Sequence, residues 1–308
     1  MGAGLDGIRL IRGVDVRKVG LFLALAYAFA WTVGFTFFAL GGKLATPAFL
    51  AVGVVYMWAP AAAAIITHKF IRKEPLSDLG LKAPRIRWLL VAWLGPVLLV
   101  LLALALSLAL PGISLAPGLD GLLAALADIL PASEVANVQR HLEPTYLAKP
   151  GVLLLVTFVQ VLIAGPTVNA GAAFGEELGW RGFLVRELNP LGFWRSSFAI
   201  GFFWGLWHLP VIVNGYNYPG HPLVGPVMMT LLTMLLSPLM GYVRLRAGSV
   251  FAAAVFHGTF NAAAGLVIFL KGGTMLLTGI TGVVGIATLL FVNAMLWVHL
   301  RRNPLRLE

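Results

Sequence analysis

Apolar residues run through this chain in long blocks rather than in the short alternations of a soluble fold. Eight blocks stand out, at roughly 19–41, 47–67, 88–110, 151–185, 196–213, 222–243, 250–270 and 275–299, set against the ~20 residues that a helix needs to cross a bilayer. Polar residues collect in the gaps between them. The pattern predicts an all-α, polytopic integral membrane protein of about eight transmembrane helices. No polar linker divides the chain, so residues 1–308 are read as one membrane domain. The fourth block exceeds one straight crossing at about 1.5 Å per residue. It is expected to tilt, to extend beyond the bilayer, or to break near Gly165-Pro166. Prolines inside other blocks (Pro60, Pro96, Pro226, Pro238) read as kinks, which membrane helices tolerate. No internal repeat is visible, which leaves an inverted-repeat transporter unsupported.

Composition agrees with the blocks: 59% of residues are hydrophobic and 11% charged, and the mean hydropathy is +0.91. A soluble domain carries about 25% charged residues. The net charge of +10 would suit nucleic acid, but the basic residues form no stripe interleaved with aromatics. They follow the loops instead. With eight spans, 17 of the 22 Lys and Arg fall on one side, against Lys43, Arg140, Lys149 and Lys271 on the other; Arg181 is left inside a span. The positive-inside rule puts the rich side, and both termini, in the cytoplasm. The basic N-terminal stretch leads into an apolar run too long for a cleaved signal, so an uncleaved first span is expected. With no cysteine, a disulfide framework, a thiolate zinc site and a cysteine nucleophile are all excluded. In the outward 3–4 loop, "LDGLLAALADIL" has amphipathic spacing and is expected to lie as a helix on the membrane surface.

Few ionisable groups remain inside the blocks: Glu176, Glu177 and Arg181 in the fourth, His208 in the fifth, and His257, joined by Asn261, in the seventh. Ions in hydrocarbon are costly, so such residues usually face the bundle interior and mark sites. Their spacing is orderly. Glu177 and Arg181 in "GEELGWRGF", Trp204 and His208 in "FFWGLWHLP", and His257 and Asn261 in "FHGTFN" are each i and i+4, on one helix face. Glycines on the same helices allow close approach, so a shared polar cavity is expected. A carboxylate and an imidazole around one water can serve as general base and partner. Donors from a histidine and an asparagine can stabilise an oxyanion. That set describes amide hydrolysis by water. Each piece also has a plainer reading: Glu177–Arg181 as a brace, His208 as a helix-end hydrogen bond, His257 and Asn261 as interhelical glue. His68, His141, His221 and His299 are expected to be solvated at span ends or in loops, and most Trp and Phe to face lipid.

Taken together, the Glu-Glu-x-x-x-Arg of Glu176, Glu177 and Arg181, the aromatic-x-x-x-His ending at His208 and the His-x-x-x-Asn of His257 and Asn261 resemble the CPBP family. These are CAAX-protease and bacteriocin-processing intramembrane endopeptidases, the Rce1-type prenyl proteases among them. The resemblance covers roughly residues 150–270. It implies that Glu176 activates water with His208, that His257 and Asn261 form an oxyanion hole, and that Glu177 and Arg181 support the site. Trp204 stands where the family often has Phe, which implies an altered pocket shape with the aromatic wall kept. The implied substrate is a peptide of a membrane-associated protein: a prenylated C-terminus, a bacteriocin leader or a sorting-type C-terminal helix. The implied location is a prokaryotic cell membrane, with the lipid bilayer as partner and no nucleic acid. No cofactor is expected; zinc held by the same residues is the alternative, although the chain lacks a His-Glu-x-x-His motif. Outside enzymes, a transporter or an immunity or scaffold protein could use the same polar cluster.

Overall fold

Asp15 opens the first long helix by accepting a hydrogen bond from the Lys18 amide at 3.0 Å, the usual work of an N-cap. Thr46, followed by Pro47, does the same for the second helix, and Ser249 for the last but one. The computed structural model describes residues 10–11, 13–127, 130–145, 149 and 151–305. Arg9, Arg12, Asp128 and Arg306 lie outside them.

Among the described residues, two short strands, β1 (Leu10–Ile11) and β2 (Val14–Asp15), precede α1 (Val16–Ala39) and α2 (Pro47–Ile65), which a wide turn extends to Ile71. There follow α3 (Ile86–Leu108), β3 (Ser114–Leu115), α4 (Leu119–Ala127), α5 (Ala132–Leu142), α6 (Val152–Ala164), α7 (Ala170–Glu177) and the single turn α8 (Val185–Glu187). The remainder is α9 (Phe193–Trp207), α10 (Leu209–Val213), α11 (Val224–Ala247), α12 (Val250–Ala264), β4 (Leu270–Lys271) and α13 (Val283–Arg302). The protein is thus an all-helical integral membrane protein. Apolar side chains that would be costly in water, such as Leu98 (65% exposed) and Phe291 (61%), face outward, where lipid covers them.

Among the described residues, seven helices are long and apolar enough to cross a membrane, one fewer than the eight apolar blocks. The missing one is the fifth block, which forms two pieces, α9 and α10, meeting at His208. It still runs from end to end. Its start lies beside Pro190, which approaches Gly13, and its exit at Tyr216 packs on Phe49 with ring centroids 5.8 Å apart. Pro210 has no amide to give to the helix, so carbonyls near the break need other donors. Tyr56 Oη and Trp31 Nε1 both donate to the Trp207 carbonyl (2.5 and 3.1 Å), and Tyr27 Oη to that of Phe203 (2.7 Å).

The fourth block is one helical pass of 36 residues, Val152–Glu187. It does not break at Gly165-Pro166 but widens into π-helical turns at Gly165–Asn169 and Leu178–Leu184. The last block begins its helix later than the apolar pattern predicts, at Val283, because Gly279 takes a left-handed φ of 72° in the preceding turn. The stretch expected on the membrane surface is helical as α4 and packs near β4, which pairs with β3.

The opposite end is tied by charge. Lys18, only 5% exposed, places Nζ 2.8 Å from both Glu74 and Glu187. Arg186 adds contacts to Glu74 at 3.0 Å and Asp78 at 3.2 Å. His68 is fully buried here, not solvated as its place at a span end implied. Burial alone would push the Glu74 carboxyl up, but the hydrogen bond and charge of Lys18, with His68 and Arg186 nearby, outweigh it and hold the group below its usual 4.5. A carboxylate depressed in this way stabilises the fold above its unfolded-state value, and that contribution is lost as pH falls through the lower folded-state value. The thermal midpoint is therefore expected to drop as pH is taken below about 4.5, and Glu74→Gln to blunt that drop. Identical acid sensitivity in both proteins would remove Glu74 from the account.

Candidate active site

Glu176 and Glu177 end α7, and Arg181 lies in the wide turn behind it; all three are buried at 2% exposure or less. π-type turns of this kind recur at functional sites. Here the turn keeps Glu177 and Arg181 on one side while Glu176 points elsewhere. Arg181 Nη1 donates to Glu177 Oε1 at 3.0 Å, and His257 Nδ1 lies 2.9 Å from the same oxygen. One carboxylate oxygen thus joins the fourth pass to α12.

Trp204 of α9 links the rest. Its Nε1 donates to Glu176 Oε2 at 2.6 Å, and its backbone carbonyl accepts from His208 Nδ1 at 2.8 Å. The Arg181 guanidinium lies 4.2 Å from the centre of the Trp204 ring, and the His257 ring meets it edge-on at 5.1 Å. A carbonyl can only accept, so the His208 Nδ1 carries the hydrogen and Nε2 is left for other work. His257 is placed likewise, with Nδ1 committed to Glu177.

A cavity of about 790 Å³ is lined at once by Glu176, Trp204, His208, His257 and Asn261. Glu177 and Arg181 do not line it; they stand behind His257 and Trp204. The four residues expected to meet substrate and the aromatic wall therefore share one space, and the two expected supports are in its second layer. The walls are otherwise mainly apolar, with Phe38, Val211, Leu232 and Phe260 among them. Tyr56 and Asn169 also line it and were not singled out from sequence; nothing in a lone Tyr or Asn at a helix end distinguishes it beforehand. Trp31, Trp180, Trp204 and Trp207 face the interior rather than lipid, whereas Trp58 and Trp297 are more than 40% exposed as an outer belt would be.

Close approach makes the cavity. Gly258, next to His257, lies so near α7 that a Cβ there would come within 2.3 Å of the Ala170 amide nitrogen and 2.6 Å of the Gly165 carbonyl oxygen. Gly258→Ala must push α12 away. Overpacking costs typically ~1–3 kcal/mol, so the expected result is a lower thermal midpoint together with weakened turnover, because the His257–Glu177 contact opens. An unchanged midpoint would contradict the packing.

Among the described residues, the group of His and carboxylates whose donor atoms come within 4.8 Å of one another is His68, Glu74 and Asp78. Arg186 already fills it, with Nη1 3.1 Å from His68 Nε2 and on both carboxylates, so it is an ion-pair brace.

Residues 152–263 match the model of the family described as type II CAAX prenyl endopeptidase Rce1-like. Over 50 residues the chain is also 44% identical to the CAAX prenyl protease 2 of Methanococcus maripaludis, a stretch that takes in 15% of this chain and 18% of that relative. Every residue from Glu176 to Asn261 discussed above falls within the matched segment, and over that segment the chain is similar to the Rce1-like family.

Proposed function

We propose that the protein is an intramembrane endopeptidase that hydrolyses a peptide bond with a water activated by Glu176 and His208. The observation that carries this reading is the single cavity shared by Glu176, His208, His257 and Asn261. The free oxygen of Glu176 takes a proton from water as it attacks the carbonyl, and the same proton passes to the leaving amine. His208 Nε2 holds the water on its other side. The developing oxyanion meets donors from Asn261 Nδ2 and His257 Nε2. Donation from Nε2 requires His257 to carry both ring protons, and Glu177 balances that charge. Both termini, and the basic end of the bundle, are assigned to the cytoplasm of a prokaryotic cell, with residues 1–308 acting as one membrane unit.

The substrate class follows from the walls and the relative. A largely apolar cavity accepts an isoprenoid chain or the apolar end of a membrane-anchored peptide, and a relative bears the name CAAX prenyl protease 2. A prenylated C-terminal peptide is therefore the substrate proposed. Purified protein in lipid should cleave a prenylated peptide well and its unmodified twin at least tenfold less efficiently, since burial of each CH₂ contributes ~0.8 kcal/mol. Equal cleavage of both would remove the lipid from the account.

One observation favours zinc as a second reading: both histidines tie Nδ1 to an oxygen and leave Nε2 free, as metal-ligating histidines usually do. Glu176, His208 and His257 would hold the ion, which would supply Lewis-acid activation of water. They do not draw together as His68, Glu74 and Asp78 do, which is why the metal-free reading is preferred. Loss of cleavage on chelation, restored by zinc, would reverse that preference.

Trp204→Phe keeps the ring and removes the indole N–H that binds Glu176 Oε2. A hydrogen bond to a charged group contributes ~1.5–3 kcal/mol, so kcat is expected to fall roughly tenfold or more with KM little changed. A change in KM alone would reduce Trp204 to a wall.

A further inference from the structure

Another cavity, of about 350 Å³, opens where α3 begins and where α11 and α13 end, and shares no lining residue with the first. It is lined by Arg87, Trp88, Tyr242, Arg246, His299 and Asn303, with Val91 on its membrane side. Two buried donors on its walls, Trp88 Nε1 and Arg246 Nε, have no acceptor within the protein. Buried N–H groups are nearly always bonded, so a ligand rich in acceptors fits here. The remaining polar contacts are already made: Arg246 Nη2 donates to the Asn303 carbonyl at 3.2 Å, and Tyr242 Oη lies 3.1 Å from His299 Nε2. Among the described residues no carboxylate pairs with Arg87 or Arg246, nor with Arg85, whose Nη1 reaches the Arg246 carbonyl at 3.5 Å. Among the described residues, the site therefore combines uncompensated positive charge with unused donors.

We propose that this cavity binds the phosphate of an anionic phospholipid. Phosphate supplies only acceptors at its anionic oxygens and suits arginine, and basic pockets between transmembrane helices at the cytoplasmic side take such headgroups. The position argues for a lipid over a free ion. Directly below the pocket, Leu90, Val91 and Leu94 of α3 and Met295 and Val298 of α13 are all more than 40% exposed, an apolar track for acyl chains. Arg301, stacked 3.7 Å over Trp297, marks the interfacial level beside it.

The test is lipid competition on the full chain in mixed micelles, read by native mass spectrometry, with phosphatidylglycerol against phosphatidylcholine and, separately, inorganic phosphate. Phosphatidylglycerol is expected to bind roughly tenfold tighter than phosphatidylcholine, as one charge-assisted hydrogen bond allows. Arg246→Gln and Arg87→Gln should each erase most of that preference. Trp88→Phe, which keeps the ring and guards against a folding artefact, should weaken it a few-fold. Lys43→Gln, an equal charge loss at the other end of the bundle, should leave it intact. Equal binding of the two lipids, or an equal loss in Lys43→Gln, would overturn the site. Displacement of phosphatidylglycerol by inorganic phosphate at matching concentration would overturn the lipid as its occupant.

Discussion

Glu177→Gln is expected to destabilise the protein by about 3–5 kcal/mol, the cost of breaking a buried ion pair from one side. The reason is local. Arg181 is fully buried, and Glu177 Oε1 is the acceptor for its Nη1 and the partner of His257 Nδ1. A neutral amide leaves the guanidinium under the Trp204 ring without its hydrogen-bonded counter-charge. Turnover should fall as well, because His257 loses the carboxylate that aims it. The two effects can be separated by removing both charges: Glu177→Leu with Arg181→Met replaces the pair by apolar volume, which is often neutral or stabilising. The double variant should recover most of the thermal midpoint and little of the turnover. A double variant as unstable as Glu177→Gln would show that the pair stabilises by more than mutual compensation; one with full turnover would remove the pair from the site.

Glu176→Gln should have the largest effect on rate. General-base catalysis contributes about 10²–10⁴, and this residue is the carboxylate that lines the cavity. The amide can still accept from Trp204 Nε1 and fills the same volume, so substrate binding and thermal midpoint should stay near wild type. His208→Ala should be nearly as damaging to turnover if Nε2 shares the water. A Glu176→Gln protein that unfolds would say that the carboxylate is structural, which differs from one that folds, binds peptide and fails to cut.

The candidate site residues were legible because hydrocarbon makes polarity conspicuous. A histidine at position 257 or a glutamate at 176 is unremarkable in a soluble chain, but in these apolar blocks each demands a partner or a function, and i,i+4 spacing put each pair on one face. The helices were legible for the same reason, to within a few residues at most edges, though not at the start of the last one. What escaped was pairing between distant residues. Trp204 read as a wall, and its bond to Glu176 joins positions 28 apart in sequence. Tyr27, Trp31 and Tyr56 support the broken fifth pass at distances of 151 to 176 residues. The break itself was written in "HLP", but a proline after a histidine reads equally as a kink until the carbonyls it frees are seen to be answered by α1 and α2. His68 was misplaced because burial at a helix end is decided by the Lys18–Glu74–Glu187 charges packed over it, which no local pattern reveals.

The most direct test is cleavage of one prenylated peptide by purified wild type and Glu176→Gln side by side, in the same lipid, with and without a chelator. The account predicts cleavage by wild type that survives chelation, and a loss of about 10³ in Glu176→Gln with peptide binding intact. Wild-type rates in the Glu176→Gln protein would contradict it.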